Sequence, residues 1–392
     1  MVKTKYVVIG HYANDQLHSM ELFDSLIVKQ LRKEGHEVLF WKPSIIFGSI
    51  RKSAHGLGKW LGYIDKLLIF PIILRFKLTF IQKDVLIILP DHSHGIYIPL
   101  FLGLPHVIHV HDLIAIRSGL GEFPQIKLGR FGKLYQSRIL KGLKRGERFI
   151  CISNATETDL LRIAEGFISP EQTDVVLNEL NYDYQRMTES ESVERLKKIL
   201  PEPATPFFLH VGNGAWYKNR EGVIRIFARW KKRYPKKPEN LIIVGEPPSD
   251  KILRLVDELE QKERVAFLNQ ISQAELEALY SRAKVFLFPS FHEGFGWPIV
   301  EALACGCPVI TTDKAPMSEI AGGHAMLLPM MPKIQEIEEW LDQGVNLIDE
   351  SLKKAYQDKA SERIEHTQKF RPNTAFPKYL KIYSNILNSA HE

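Results

Sequence analysis

The chain has 392 residues, 45% hydrophobic and 25% charged, with 52 Lys and Arg against 46 Asp and Glu. Those proportions belong to a folded protein of two or three domains and exclude a disordered chain. Three cysteines, Cys151, Cys305 and Cys307, exclude a disulfide framework and paired zinc ligands and point to a reducing cytosol.

Short apolar runs alternate with amphipathic stretches along the chain, which predicts an α/β fold with parallel sheets. The start shows no signal-peptide pattern and runs into a strand at 6–9. The loop Gly10-His11-Tyr12-Ala13-Asn14 follows, then a helix over 19–32 with Phe23, Leu26, Ile27 and Leu31 on one face. A second strand is predicted at 38–40. Residues 50–83 hold seven basic residues and one acid, interleaved with Trp60, Leu61, Tyr63, Ile64, Leu67 and Leu68. Such a stretch suits an anionic membrane surface, and equally a solvated helix face beside a core. The apolar run 67–74 is too short to span a bilayer and contains Pro71.

Strands at 85–89 and 107–110 lead into polar clusters, Asp91-His92-Ser93-His94 and His111-Asp112. The histidine spacing from His92 to His111 matches no standard ligand set, so no metal is expected. His109 is expected to pack, or to lie on the opposite strand face. Residues 127–148 form a second basic stretch, with eight basic residues and one acid. No nucleic-acid-binding motif accompanies this charge, and no nucleic-acid partner is expected. A strand at 148–152 precedes a helix capped by Ser153, with Thr156 and Glu157 in its first turn. A short strand is predicted at 175–177. Segment 188–206 is charged and bears Pro201, Pro203 and Pro206, so it reads as the interdomain linker.

The second half repeats the pattern, with strands at 207–211, 241–244, 265–268, 285–288 and 309–311. Gly212 ends the first of these, 213–219 make a turn, and a helix runs on from Arg220. Lys218 and Asn219 stand at that helix entrance, where Asn can cap and Lys can reach a diphosphate. After the 285–288 strand comes Glu293-Gly294-Phe295-Gly296-Trp297-Pro298-Ile299-Val300-Glu301. The glycines allow close approach of a ligand, Pro298 suits a first helical turn, and Gly306 suits the helix exit. The helix start is an anion site. Glu301, at the end of the first turn, would face sideways to a diol such as a ribose, and Glu293 would meet a second polyol. The amphipathic run 376–387 closes the chain.

These two blocks resemble the Glu-x7-Glu motif and the Gly-x5-Lys-Asn segment of retaining family-4 glycosyltransferases. The resemblance covers most of the chain and is strongest over 206–313. It implies the GT-B fold: two Rossmann-like domains whose parallel sheets face a cleft, with a C-terminal helix crossing back to the first. The expected bounds are 1–195 for the acceptor-binding domain, 196–370 for the nucleotide-sugar-binding domain and 371–392 for the crossover helix. The resemblance gives Glu301 to the donor ribose, Lys218 to the donor diphosphate, and Glu293 with the 294–296 backbone to the transferred sugar. His111 would touch that sugar. Catalysis is expected to rest on His111, Lys218 and Glu293. Donor binding adds Gly10, Gly212, Asn213, Asn219, Asn269, Gly294, Phe295, Gly296, Trp297 and Glu301, and acceptor binding falls to Asp91, His92 and Asp112. Departures are visible. Many members carry an arginine where Asn213 or Tyr217 stands, so the clamp is either weaker or completed by Arg220 or another cation. The first loop has Gly10 alone where relatives have a glycine pair, and Asn178-Glu179 replaces a common Asn-Gly.

The implied reaction moves a hexose-type sugar from a UDP- or GDP-sugar to a hydroxyl of a glycan or lipid-linked saccharide, with retained configuration and no required metal or other cofactor. Surface polysaccharide assembly on the cytoplasmic face of a membrane fits the basic first half. A nucleotide-sugar epimerase of the same fold, or a non-catalytic nucleotide-sugar-binding member, is the competing reading.

Overall fold

The computed structural model describes residues 4–15, 18–51, 56–82 and 84–389. Lys52 and Lys83 of the first basic stretch lie outside the described residues. The chain divides into two compact units, Met1–Leu177 with Ala375–Glu392, and Asn178–Thr374.

The first unit is built on six parallel strands: β1 (Lys5–Ile9), β2 (Glu37–Trp41), β3 (Val85–Leu89), β4 (His106–Val110), β5 (Arg148–Cys151) and β6 (Thr173–Val175), in the order β2-β1-β3-β4-β5-β6. Every residue of β3 and β4 is buried, as expected where helices cover both faces of a parallel sheet. On one face, Phe23, Ile27 and Leu31 of the helix His18–Lys33 meet Phe376, Tyr379, Tyr383 and Leu387 of the last helix, Phe376–Ser389. On the other face pack Phe70, Leu74, Tyr97, Ile139 and Leu143. The buried His109 of β4 packs against the last helix, its Nε2 2.7 Å from the Tyr383 hydroxyl.

The second unit repeats the plan with β7 (Phe207–Val211), β8 (Asn240–Val244), β9 (Val265–Leu268), β10 (Val285–Phe288), β11 (Val309–Thr312) and β12 (Met326–Leu328), in the order β12-β11-β10-β7-β8-β9. Its core gathers Phe208, Phe227, Trp230, Trp340 and Val345.

Three sequence expectations are corrected. The strand at 175–177 is the shorter β6, which ends at Val175. The segment 188–206 is no linker: Thr188 forms a capping box with Glu191 and starts the helix Glu189–Leu196, which packs on the helix Gln273–Arg282. Its charges face solvent, while Ser192, Leu196 and Leu200 recur every fourth residue and are buried. The division between units therefore falls after Leu177, not after residue 195. β12, three residues with only Leu328 buried, was too short and too exposed to show a period.

In each sheet the first strand is flanked on both sides by later ones, β1 by β2 and β3, β7 by β8 and β10. The chain thus reverses its winding direction there. Open α/β sheets bind ligands at the carboxyl ends of strands beside such a switch. Among the described residues no helix is long and apolar enough to cross a membrane.

Candidate functional site

At the switch of the second unit, hydrogen bonds tie the loop after β7 to the loop after β10. The Phe291 N–H donates to the Tyr217 carbonyl at 2.8 Å. Asn219 Nδ2 donates to the Pro289 carbonyl at 2.9 Å. Lys218 Nζ donates to both carboxylate oxygens of Glu293, at 2.8 and 2.9 Å. Asn219 holds a left-handed φ of 54° and caps the helix Arg220–Arg233, its Oδ1 accepting from the Gly222 N–H. That capped start aims Lys218 back over the Phe288 ring, 5.2 Å from its centroid. Gly296, at φ 104°, opens the helix Trp297–Ala304 with Pro298 in its first turn. Left-handed geometry there is cheap only for glycine.

Glu301 sits on that same helix, half-buried, and accepts from the Tyr280 hydroxyl at 2.9 Å. Burial raises its pKa above the ordinary glutamate range, while hydrogen bonds from Tyr280 and Tyr184 and the charge of Lys218 work the other way. Lys218 and Glu301 therefore share one electrostatic field. Tyr280 and Tyr184 escaped the sequence reading because the contact spans 21 residues to Tyr280 and a much longer separation to Tyr184. No local pattern announces either. A further cation was also missed: Lys314 Nζ lies 3.4 Å from His292 Nδ1, next to Glu293.

Several expected donor contacts change role. The Phe295 side chain is buried against Trp297 and Phe370, at 6.0 and 5.8 Å between ring centroids, so only its backbone is available to a ligand. Trp297 Nε1 donates to the Glu179 carbonyl at 3.0 Å, fixing the Asn178-Glu179 segment. The Arg220 guanidinium donates to the carbonyls of Glu246 and Gly212, at 2.8 and 2.7 Å, and braces the ends of β7 and β8. Asn213 Oδ1 accepts from the Ala215 N–H at 3.2 Å within the turn. Asn269 is exposed just past the end of β9, and a Cβ at Gly212 would fall 3.3 Å from the Lys218 side chain.

At the switch of the first unit, the loops after β1 and β3 meet in a buried network. The His11 N–H and ring Nδ1 bond Asp24 at 2.8 and 2.9 Å, and Asp91 lies 3.7 Å from His11 Nε2. Burial opposes charge on His11, yet the hydrogen bonds and charges of Asp24 and Asp91 outweigh it and push its pKa up to about 10. Asp91 caps its own helical turn through the Ser93 N–H and pairs with His92 at 3.2 Å. The Asp112 carboxylate accepts from the Ile114 N–H. Gly10 is not free to hold a phosphate, since its N–H donates to the Trp41 carbonyl and a Cβ would fall 2.5 Å from the Phe40 ring. His111 donates from Nε2 to the Pro90 carbonyl at 2.9 Å, and burial keeps its pKa low. That tautomer leaves Nδ1 an acceptor, buried without a protein partner. The expected acceptor residues Asp91, His92 and Asp112 thus gather with His111 in the first unit, while the expected donor residues other than Gly10 belong to the second.

The three cysteines are buried, and burial pushes their thiols up, Cys307 to about 12. They are packing residues, not nucleophiles. Among the described residues no group of three or more His, Cys, Asp or Glu is placed to hold a metal ion.

Two parallel sheets, each with its polar cluster at a switch point, define a protein of the GT-B class. The fold matches a sucrose-phosphate synthase from Thermosynechococcus elongatus over 99% of this chain and 100% of that one, with a TM-score of 0.73 at 18% identity. Residues 192–346 match Glycosyl transferases group 1, and residues 26–179 match Glycosyltransferase Family 4. The chain belongs to glycosyltransferase family 4. It is 29% identical over 197 residues to the O-antigen chain mannosyltransferase RfbU of Salmonella typhimurium, covering 50% of each chain. It is also 29% identical over 217 residues, 54% of each chain, to the N-acetylgalactosamine-N,N'-diacetylbacillosaminyl-diphospho-undecaprenol 4-alpha-N-acetylgalactosaminyltransferase of Campylobacter jejuni. The chain spans about half the length of these curated relatives.

Proposed function

We propose that this chain is a retaining glycosyltransferase that moves a hexose-type sugar from a UDP- or GDP-sugar to a hydroxyl of a glycan or lipid-linked saccharide in surface polysaccharide assembly. One observation carries the reading: Lys218, Glu293, Glu301 and the start of the Trp297–Ala304 helix converge at the switch of the second sheet. The names of the relatives, one acting on O-antigen chains and one on a diphospho-undecaprenol saccharide, support the acceptor class.

In the proposed course, the donor diphosphate takes the Lys218 ammonium from Glu293. The freed carboxylate then faces the sugar hydroxyls, and Glu301 accepts from the ribose diol. His111 Nδ1, an unprotonated acceptor, suits a sugar hydroxyl. Both carboxylates of the motif are thereby engaged, which leaves neither as the nucleophile that a double displacement needs. The reading is a front-face displacement. The acceptor oxygen bonds the anomeric carbon as the carbon–phosphate oxygen bond breaks, and the acceptor proton passes to the departing diphosphate. Lys218 and the helix start stabilise the charge that develops. The reaction is expected to run without an added metal ion.

The test is a thermal-shift screen against UDP, GDP, ADP and their sugars, followed by nucleotide release with and without chelator. Saturation at a hundredfold over Kd is worth about 2.7 kcal/mol. The reading predicts that one nucleotide raises the melting temperature and that its sugar donor turns over with chelator present. No stabilisation by any of them would overturn it.

A further inference from the structure

One surface of the first unit is used neither by its core nor by its polar cluster. The helical segment runs through Gly56–Ile64, a π turn at Asp65–Ile69, and Phe70–Leu78. Its inner side gives Phe70 and Leu74 to the core. Its outer side repeats apolar residues every fourth position: Leu68 is 60% exposed, Ile72 69%, Phe76 66% and, just past the end, Phe80 72%. Trp60, at 52%, lies two such steps before Leu68. In a uniform α-helix this spacing walks about 40° around the axis per step. The wider π turn begins between Trp60 and the rest of the stripe and takes back part of that drift over those two steps. A helix apolar on two sides, only one of them buried, leaves an apolar face open to a further apolar partner.

The neighbouring charge says which kind. Lys59 and Arg75 are exposed within the segment. Trp60 and Tyr63 pack on Phe131 of the helix Arg130–Leu143, at 4.6 and 4.8 Å between centroids. Along that helix runs a groove of about 860 Å³ whose floor includes Leu67, next in sequence to Leu68 of the stripe. Exposed Leu134 and Phe167 line it with Arg138, Lys141, Lys144 and Arg145, and none of its lining residues is acidic. Apolar side chains beside cations without counter-charges complement an apolar layer edged by phosphates.

We propose that this face docks on an anionic phospholipid bilayer, the Leu68–Ile72–Phe76–Phe80 stripe entering the acyl boundary and the groove cations meeting lipid phosphates. Its purpose rests on the reading of a lipid-linked acceptor, but docking itself requires no catalysis.

The experiment is co-sedimentation of the full chain with vesicles of equal parts phosphatidylcholine and phosphatidylglycerol, and with pure phosphatidylcholine, at low salt. Binding to the mixed vesicles alone is expected, falling at least about tenfold in Ile72→Glu/Phe76→Glu. A brominated acyl chain should quench tryptophan fluorescence in the wild type and less in Trp60→Phe, a substitution that keeps the stripe apolar. Wild-type binding to neither vesicle, or equal binding by the double variant, overturns the proposal, as does a dimer that the double variant dissolves, because a second copy would then cover the stripe. Vesicle binding without turnover of any nucleotide sugar would keep the docking face and remove the functional reading instead.

Discussion

Lys218 Nζ contacts both carboxylate oxygens of Glu293, at 2.8 and 2.9 Å, and the two side chains are 13% and 8% exposed. The cation meant for a diphosphate and the carboxylate meant for a sugar neutralise one another in the ligand-free chain. Burying such a pair is costly, and removing one partner leaves an uncompensated charge. Donor binding is then an exchange of partners, and this exchange fixes what substitutions should do.

Lys218→Met is expected to lower stability by about 3 kcal/mol, because Glu293 is stranded, and to reduce kcat/KM at least tenfold, or about 1.4 kcal/mol. Lys218→Met/Glu293→Met should recover most of the stability and none of the turnover. Chemical denaturation and steady-state kinetics on the three proteins separate the two effects. Recovery of turnover in the double variant would contradict the exchange.

Glu301→Ala is expected to cost at least tenfold in kcat/KM, about 1.4 kcal/mol. Tyr280→Phe tests the geometry more finely. The Tyr280 hydroxyl holds Glu301 down against the upward push of burial, so its loss should move the acid limb of donor affinity to higher pH. The carboxylate must be ionised to accept from a diol, so affinity weakens as pH falls through its pKa, and that pKa already exceeds the ordinary 4.5. A pH profile of donor KM that is unchanged in Tyr280→Phe would remove Tyr280 from this role.

Asn219→Ala removes both the cap on Gly222 and the tie to the Pro289 carbonyl. Lost caps cost about 1 kcal/mol. The variant should unfold at lower denaturant with an unchanged slope, and its donor KM should rise because Lys218 is no longer aimed. A normal KM in a destabilised variant would show that the cap does not position Lys218.

Stability should fall on both sides of neutrality. His11 has a folded pKa of about 10 against an ordinary 6.5. The folded state therefore holds its proton more tightly, and this contribution is complete below 6.5 and lost as pH rises toward 10. His94, His109, His111 and His210 are shifted down by burial, His210 to about 3. Their contribution is complete above 6.5 and lost as pH falls. His11→Asn should flatten the alkaline limb of melting temperature against pH while leaving the acid limb. An alkaline limb of unchanged slope would place its origin elsewhere.

The sheet strands were legible because buried parallel strands are unbroken apolar runs, as at 85–89 and 285–288. The Lys218-Asn219 and Glu293 to Glu301 blocks were legible because glycine, proline and cap residues fall at fixed offsets. The unit boundary was misread because the helix Glu189–Leu196 carries its charge outward and buries only every fourth residue. The carbonyls that Arg220 braces and the rings that bury the Phe295 side chain were out of sight. Such long-range partners leave no trace in local spacing. Tyr280, Tyr184 and the Asp24–His11 pair stayed hidden for the same reason.

The most direct test is titration calorimetry of UDP and of GDP into the wild type, Lys218→Ala and Glu301→Ala. The account predicts that one of the two nucleotides binds the wild type and that each substitution weakens it at least about tenfold, 1.4 kcal/mol. Binding by both variants as tight as by the wild type would show that the nucleotide sits elsewhere and would contradict the account.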